Sequence, residues 1–341
     1  AEPIAVDEKA GGFDLRGVLM LTTDPPKHTR YRKLVNRGFT PRMIGLLEKY
    51  LRHRTTLIVD EGIEDGECDF VIDVAAELPL QAIAEIMGVP QEDRQKLFDW
   101  SNKMIGIDDP EYASDDNARA AVELYAYSNT LAAERRDSPR DDIVTILINA
   151  EIIDDDGEVT RLSEFEFDAF MLLLSVAGSE TTRNAISWGL HYLTENPDQR
   201  AVWLADIDGV TPTAVEEIVR MASPVTHFRR TVTTDGVRLG GHEFKVGEKV
   251  VLWYNSANRD EAVFDDPDRF DVRRDPNPHV GFGGPGPHFC LGAHLARREV
   301  GVMFRHLLTR LPDIRSTAEP DLLRTNFVNG IKHLPCAWTP A

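Results

Sequence analysis

Apolar residues recur at three- and four-residue spacing through most of the chain, which is the pattern of amphipathic helices. In one such segment, Val71, Val74, Ala75 and Leu78 repeat at these intervals. The pattern predicts helices over residues 41–63, 70–88, 90–103, 118–137, 141–149, 213–221 and 291–311. The pattern therefore predicts a largely helical protein.

The longest apolar pattern lies between Ser163 and Glu195 and predicts a helix about 45–50 Å long. Ser163 and Glu166 form a capping box at its start, and Asn196-Pro197 ends it. A helix of this length crosses a whole domain and is expected to be buried on nearly all sides. The segment AGSETT, residues 177–182, interrupts the apolar pattern with a glycine and a carboxylate.

Two interpretations of this interruption remain open from the residues alone. In the first, Thr181 bonds back to a backbone carbonyl and Glu180 pairs with an arginine elsewhere in the chain. In the second, the helix opens locally beside a ligand, since a glycine and a carboxylate within an apolar helix are both destabilising.

Alternating segments and turn residues predict a few short strands. Strands are expected at 228–232, at 250–254, where the strand is expected to be buried, and after a turn in 326–331. Loops are expected at residues 1–17, 106–117 and 255–275, and a hairpin or loop at 151–161. The elements together predict a mainly α protein with small β-sheets.

The composition is that of a folded, acidic protein. Hydrophobic residues make up 42% of the 341 residues, and the formal net charge is −19. This charge argues against partners such as nucleic acid or an anionic membrane surface. The longest apolar run, residues 171–178, is too short to anchor the protein in a bilayer. Three widely spaced cysteines favour a reducing compartment, and we expect a cytoplasmic protein.

The segment 279–299 carries the most distinctive chemistry, a glycine-rich stretch followed by Cys290 and a helical pattern. Its glycines allow the backbone to approach a flat, bulky ligand. Cys290 is expected in the first turn of a helix, where free N–H groups favour a thiolate. A single thiolate suits axial coordination of haem iron, whereas zinc would need further ligands at close spacing. A buried structural cysteine is an equal alternative from this local pattern alone.

A basic helix is expected after two successive prolines near residue 25, which fit the start of a helix. His28 and Arg32 share one of its faces, while Arg30, Lys33 and Arg37 lie on roughly the opposite face. The first face suits the carboxylates of a bound ligand, and the second suits an acidic partner. A solvated basic surface is the alternative interpretation.

The stretch around Cys290 resembles the haem-binding loop of the cytochrome P450 family, with Gly286, His288, Cys290 and Gly292 in register. The family usually has an aromatic residue seven positions before the cysteine, whereas here Phe282 stands eight positions before it. The form GFGG-x-G-x-H-x-C resembles an actinobacterial subgroup that oxidises sterol side chains and methyl-branched lipids.

Three further motifs resemble the same family in the same order along the chain. They are H-T-R-x-R at 28–32, A-G-x-E-T at 177–181 and E-x-x-R at 217–220. The ordered set implies a P450-like single haem domain over residues 1–341, mainly α with small β-sheets. By the same resemblance, the family's N-terminal sheet and first helices are expected before residue 1, so this part of the fold is expected to be missing.

The resemblance implies haem b as the cofactor and Cys290 as the ligand of its iron. His28, Arg32 and Arg230 are expected to bind the haem propionates, with Arg229 as the competing assignment for Arg230. Other haem contacts are expected from the cysteine loop and the long helix, at His288, Phe282, Gly284, Gly292 and Ala177.

The resemblance also implies catalytic and structural roles. Thr181 is expected to hydrogen-bond bound dioxygen, and Glu180 to relay protons through water. Glu217 and Arg220 are expected to form a buried ion network with Arg269 of the segment PDRF. The 106–117 loop is expected to form part of a mobile lid over the substrate. The expected substrate-pocket residues are Val176, Ala177, Val225, Thr226 and Ile331.

These roles imply a haem-thiolate monooxygenase that inserts one oxygen atom of O2 into a C–H bond of a sterol side chain or a methyl-branched lipid. Electrons are expected from NAD(P)H through ferredoxin reductase and ferredoxin, which would dock at Arg30, Lys33, Arg297 and Arg298. We expect a monomer. Two alternatives stay open, namely a peroxide-driven haem-thiolate peroxygenase and a non-catalytic haem- or ligand-binding fragment. The Glu180–Thr181 pair argues against the peroxygenase.

Overall fold

The computed structural model describes residues 17–36, 39, 41–61, 64–114, 117–153, 157 and 159–340. Apart from Gly17, the loop expected at 1–17 lies outside these residues, as does Arg37. The α-helices are α1 (Lys27–Asn36), α2 (Pro41–Glu61), α3 (Glu77–Met87), α4 (Arg94–Ile105), α5 (Asn117–Asp137), α6 (Ile143–Ile148), α7 (Glu164–Glu195), α8 (Pro197–Ala205), α9 (Ile207–Ala222), α10 (Tyr254–Ala257) and α11 (Ala293–Arg310).

The strands are short and are β1 (Glu67–Asp69), β2 (Ile152–Ile153), β3 (Val159–Thr160), β4 (His227–Thr231), β5 (Val237–Leu239), β6 (His242–Phe244), β7 (Lys249–Trp253), β8 (Arg315–Ser316), β9 (Asp321–Leu322), β10 (Ile331–His333) and β11 (Pro335–Ala337). They form a three-stranded sheet in the order β1-β11-β8 and the pairs β2-β3, β4-β7, β5-β6 and β9-β10. Every pair is antiparallel. The expected mainly α architecture with small sheets is confirmed.

Two helices differ most from their expected boundaries. The segment 70–88 was expected to be one helix, but a π-helix over Phe70–Ala75 precedes α3. The helix expected at 213–221 begins earlier, at Ile207, because the Asp206 side chain accepts the backbone N–H of Gly209 at 2.9 Å. Pro212 lies inside this helix and does not start it.

Helix α7 has the predicted capping box, in which Ser163 and Glu166 bond to each other's backbone N–H groups. The helix is continuous from Glu164 to Glu195, so of the two open interpretations the local opening at residues 177–182 is not the one found. Gly178 has a packing role instead. A Cβ atom there would lie 2.6 Å from Cδ1 of Ile83, so the glycine allows α3 to approach α7 closely.

The hydrophobic core surrounds α7, which packs against α3, α5, α9 and α11. The strand expected to be buried at 250–254 is β7, and its residues are mostly exposed, with Trp253 at 52%. That expectation is wrong because β7 pairs with β4 alone and does not enter the core. None of the helices in the described part of the chain has both the length and the apolarity that a membrane crossing requires.

Candidate active site

The glycine-rich loop folds into a tight turn in front of α11. The backbone N–H of Cys290 donates to the carbonyl of Phe282 at 2.9 Å, and that of Phe289 donates to the carbonyl of Gly286 at 3.1 Å. Gly283 (φ 87°) and Gly286 (φ 146°) adopt backbone conformations that other residues reach only with strain. These two glycines therefore set the path of the chain that leads to the cysteine.

Cys290 lies two residues before Gly292, the N-cap of α11, so its expected place in the first helical turn is wrong. The N–H groups of Gly292 and Ala293 still approach the sulfur, and Arg32 and Arg297 lie near it. Cys290 as a whole residue is exposed, but many protein atoms surround its sulfur. This burial raises the pKa of the thiol, while the N–H groups and the two arginines lower it. The N–H groups and the two guanidinium groups favour the thiolate form of Cys290 once a metal cation is bound.

A cluster of two histidines and two arginines lies beside the cysteine loop. The rings of His28, on α1, and His288, on the loop, are 4.1 Å apart. Burial and then the charge of Arg32 lower the pKa of His28. Burial, followed by His28 and Arg230, lowers the pKa of His288 to about 4. The cluster therefore combines two neutral imidazoles with two guanidinium charges, which is an environment for anions.

One atom of this cluster has the hydrogen-bonding capacity that a ligand would need. His28 is 2% exposed, and its Nδ1 has no hydrogen-bond partner among the described residues. Buried polar atoms are nearly always paired, so an atom of this kind suggests a bound group. Arg230 faces the cluster, since its charge acts on His288, which favours it over Arg229 as the anion-binding arginine. The Arg230 guanidinium also donates to the carbonyl of Arg229 at 3.0 Å.

Thr181 and Glu180 lie in the middle of α7 and are both held by contacts of their own. The Thr181 hydroxyl donates to the carbonyl of Ala177 at 3.0 Å. The Glu180 carboxylate pairs with Arg183, which donates to Asn102 of α4 at 2.9 Å. Burial raises the pKa of Glu180, and the charge of Arg183 lowers it in part. These are the contacts of the first interpretation, in which both side chains have partners within the fold.

The ion network on α9 is fully buried. The Arg220 guanidinium makes two hydrogen bonds to the Glu217 carboxylate, at 2.7 and 2.8 Å, and neither residue is exposed. It also donates to the backbone carbonyls of Asn258, Pro267 and Arg269. Four protein groups thus satisfy one buried guanidinium, as burial of a charge requires.

The third member of this network was assigned to the wrong side chain. Arg269 contributes only its carbonyl, at 3.1 Å from Arg220, and its side chain is exposed. The second guanidinium at Glu217 belongs to Arg274, whose Nε lies 3.2 Å from the carboxylate. Arg274 also donates to the carbonyls of Asp265 and Arg269, so it reaches the carboxylate from the end of the loop.

The comparisons with known proteins agree with this geometry. The family model for "Cytochrome P450" matches residues 80–329 of the chain. The chain belongs to the cytochrome P450 family. The P450 of Mycobacterium marinum called CYP268A2, solved with pseudoionone, superposes with a TM-score of 0.89 at 44% identity, over 95% of this chain and 78% of that one.

Two curated P450 relatives come from mycobacteria. A steroid C26-monooxygenase of Mycolicibacterium smegmatis is 48% identical over 96% of this chain and 75% of its own length. A methyl-branched lipid omega-hydroxylase of Mycobacterium tuberculosis is 47% identical over 94% of this chain and 74% of its own length. The chain therefore spans about three quarters of each relative.

The P450 family implies a haem, and the residues present fit one. Haem b offers an iron, a flat apolar ring and two carboxylates. The chain offers a thiol beside two backbone N–H groups at Cys290, and a histidine–arginine cluster with an unpaired buried nitrogen at His28. Phe282 is held in the same loop, with the Arg297 guanidinium 4.3 Å from its ring centre.

The residues that were expected to line the substrate pocket are only partly brought together. Val225 forms an isolated bridge with Val328, and the Thr226 hydroxyl donates to the carbonyl of Asn326 at 2.7 Å, so residues 225–226 do lie beside the C-terminal segment. Val176 is half-buried and Ala177 exposed on α7. Ile331 is 0% exposed within the core, so its assignment as an accessible wall of the pocket is wrong.

The basic face expected to receive an electron donor is partly neutralised by acidic neighbours. Arg297 makes two bonds to Glu216, at 2.5 and 2.9 Å, and Arg298 pairs with Glu48 at 2.9 Å. Lys33 is exposed. A groove of about 300 Å³ lies on this face, and its charged lining includes Arg52, Arg297, Arg298 and Arg305.

Sequence reasoning missed three residues in or near the site, namely Arg183, Arg274 and Glu299. Arg183 holds the Glu180 carboxylate, and Arg274 completes the Glu217 network. Glu299 of α11 is 1% exposed, and neither of its oxygens has a hydrogen-bond partner among the described residues. Burial raises the pKa of Glu299 to about 8, and the nearby Thr182 hydroxyl lowers it slightly. The i, i+3 spacing of Glu180 and Arg183 was the one signal that the sequence offered.

Proposed function

We propose that this P450 is a haem-thiolate monooxygenase that hydroxylates a terminal carbon of a sterol side chain or of a methyl-branched lipid. The observation that carries the proposal is the proximity of the Cys290 thiol to the His28–His288 cluster, since the charge of Arg32 acts on all three side chains. The names of the two mycobacterial relatives supply the substrate class.

The residues around the loop would hold the cofactor. Haem, when bound, supplies the activation of O2 and the insertion of one oxygen atom into a C–H bond. Cys290 would ligate the iron as a thiolate, stabilised by the N–H groups of Gly292 and Ala293. Arg32 and Arg230 would bind the propionates, because a guanidinium matches the geometry of a carboxylate. The unpaired Nδ1 of His28 would gain a hydrogen bond there.

Glu180 and Thr181, in the middle of α7, would transfer protons. Because burial raises the pKa of Glu180, this carboxyl holds a proton at a higher pH than an exposed glutamate does. Arg183 keeps the carboxyl oriented from one turn further along the helix. The half-buried Thr181 hydroxyl would donate a hydrogen bond toward the oxygen site, and water would connect the two side chains.

Electrons would enter at the arginine-lined groove. The groove lined by Arg52, Arg298 and Arg305 offers positive charge on a protein whose net charge is −19. We propose that an acidic ferredoxin, reduced by NAD(P)H through a ferredoxin reductase, docks there. Complementary charge raises the association rate and makes it salt-dependent. Electron transfer from such a partner should therefore slow as ionic strength rises.

The test is a carbon monoxide difference spectrum followed by a substrate titration. We expect the reduced protein to give the Soret band of thiolate-ligated haem, and Cys290→Ser to lose that band while it keeps its helical circular dichroism. We then expect a sterol 3-ketone or a methyl-branched fatty acid to shift the haem spin state, with the straight-chain acid of equal length as the matched control.

Three outcomes separate the possible functions. Hydroxylation that requires NAD(P)H, reductase and ferredoxin supports the proposal. Equal turnover with hydrogen peroxide and no reductant would instead support a peroxygenase. Haem binding without substrate-dependent NAD(P)H consumption would support a non-catalytic ligand-binding protein.

A further inference from the structure

Two of the three cysteines are far apart in the sequence but meet in the three-stranded sheet. Cys68 lies on β1 and Cys336 on β11, and the two residues face each other across the sheet. Their sulfur atoms are 3.5 Å apart, although 268 positions separate them in the chain. The wide spacing that argued against disulfides in the sequence therefore disappears on folding.

The hydrogen bonds on either side define the geometry of this pair. The Phe70 N–H donates to the Leu334 carbonyl, and the Trp338 N–H donates to the Gly66 carbonyl. In an antiparallel ladder, hydrogen-bonded positions alternate, so a position midway between these two pairs is also a hydrogen-bonded one. Cα atoms at positions of this kind are typically about 5.5 Å apart. This separation lies within the range of about 4.4–6.8 Å that a disulfide spans.

The pair is accessible from one side only. Cys68 is half-buried and lines a surface cleft of about 570 Å³, together with Trp338. Cys336 is 2% exposed behind it. The charged side chains of the cleft are mostly acidic: Glu61, Asp65, Glu67, Asp73 and Glu77, against Arg54 and Arg94. A small neutral reagent can therefore reach Cys68 more easily than an anion such as glutathione disulfide.

We propose that Cys68 and Cys336 form a reversible dithiol–disulfide site whose oxidant is hydrogen peroxide. The Cys68 sulfur, as the thiolate, attacks one oxygen of hydrogen peroxide. The O–O bond breaks, Cys68 becomes a sulfenic acid, and the other oxygen leaves as water with the proton of the thiol. The Cys336 sulfur then displaces the sulfenic hydroxyl, which leaves as a second water with the Cys336 proton. Two thiols lose two electrons and two protons in total, and one peroxide is reduced to two waters.

The surroundings of Cys68 also affect the rate at which peroxide oxidises it. The hydrogen bond to Cys336, and then burial, raise the pKa of Cys68, and the nearby carboxylates of Asp73 and Asp69 add to the effect. Since the thiolate is the reactive form, the pair stays reduced under mild conditions and reacts slowly. The proposal does not depend on the proposed function, because neither sulfur belongs to the Cys290 site.

Oxidation of the two thiols would cross-link two distant parts of the chain. The disulfide would join β1, which follows α2, to β11 near the end of the described chain. It would close a loop of 268 residues, and a cross-link that closes a long loop restricts the unfolded chain strongly. We expect the oxidised protein to melt at a higher temperature than the reduced protein, and dithiothreitol to reverse the shift.

Peptide mapping of the protein tests the link directly. Holoprotein is treated with hydrogen peroxide in the absence of reductant, alkylated and digested with trypsin. Cleavage after Arg54, Arg94 and Lys332 places the two cysteines in peptides 55–94 and 333–341, whereas Cys290 lies in peptide 275–297. The proposal expects the first two peptides joined with the loss of two hydrogens. A cross-link to 275–297, or Cys68 oxidised to sulfonic acid with no cross-link, overturns it.

A second probe works on the reduced protein and does not involve peroxide. Phenylarsine oxide binds two neighbouring thiols together, so wild-type protein should bind one equivalent and then resist cross-linking by peroxide. Cys68→Ser, at the half-buried position, and Cys336→Ser should each abolish this tight binding and the peroxide-induced rise in Tm. If either variant binds the arsenical as wild type does, the two sulfurs do not act as a pair and the proposal fails.

Discussion

The carboxylate of Glu180 is held by the guanidinium of Arg183, one turn further along the central helix α7. The two side chains are 1% and 4% exposed, so the pair is almost completely out of water. Arg183 in turn donates to Asn102 and lies over the ring of Phe98, both on α4. The residue proposed to deliver protons is therefore anchored to a neighbouring helix through a buried arginine.

Arg183→Gln should destabilise the protein by about 3 kcal/mol, since removing one partner leaves a buried charge without compensation. The pKa of Glu180 should rise further, because the charge that lowers it is gone. Chemical denaturation of the holoprotein at pH 7 measures the effect. The double variant Glu180→Gln/Arg183→Gln should recover part of the loss, whereas simple additivity of the two single variants would show that the pair is not coupled.

Thr181→Ala should raise the share of consumed NAD(P)H that appears as hydrogen peroxide several-fold, because the hydroxyl that would donate at the oxygen site is lost. The helix should not suffer, since alanine favours helix more than threonine does. Thr181→Ser is the matched control, because it keeps a hydroxyl at the same position and should stay close to wild type. Peroxide, product and NAD(P)H are measured in one reaction. Coupling that survives in the alanine variant would remove Thr181 from the mechanism.

Arg274→Ala should destabilise the protein by about 2–3 kcal/mol, whereas Arg269→Ala should change stability by less than about 0.5 kcal/mol. The reason is that the Arg274 side chain contacts the buried Glu217 carboxylate, while Arg269 contributes only a backbone carbonyl that alanine keeps. Urea unfolding of the two holoprotein variants compares them directly. A larger loss for Arg269→Ala would restore the assignment made from the PDRF segment.

Glu299→Gln should change the pH dependence of stability. The pKa of Glu299 is raised from 4.5 to about 8 by burial. Its contribution to stability is therefore fully present below pH 4.5 and is lost as pH rises through 8. Between pH 5.5 and 8.5 the wild-type protein should lose about 3 kcal/mol that the variant keeps, given about 1.4 kcal/mol for each pH unit.

Unfolding of the Glu299→Gln variant and the wild type at the two pH values checks this expectation. Glu319→Gln, which removes a carboxylate from an exposed position, is the control for a change of charge alone and should leave the pH dependence intact. Identical pH profiles for wild type and Glu299→Gln would mean that Glu299 is ionised in the folded protein.

The sequence by itself determined most of the helices, the capping box of α7 and the candidate chemistry of the cysteine loop. These features are local, since helix periodicity and caps depend on residues three or four positions apart. The resemblance to cytochrome P450 could also be recognised from local sequence, because each motif occupies a few consecutive residues around His28, Thr181, Glu217 or Cys290. The family match from residue 80 to residue 329, which includes the last three of these motifs, confirms the family.

Only the tertiary structure decided which side chains meet. It placed Arg274 at Glu217 in place of Arg269, and buried Ile331 within the core. It also brought Cys68 and Cys336 together across 268 positions of the chain. The physical reason is that such contacts depend on how helices and strands pack, and packing is set by the whole core. A pattern of neighbouring residues records which face of an element is apolar, but not which element will cover it.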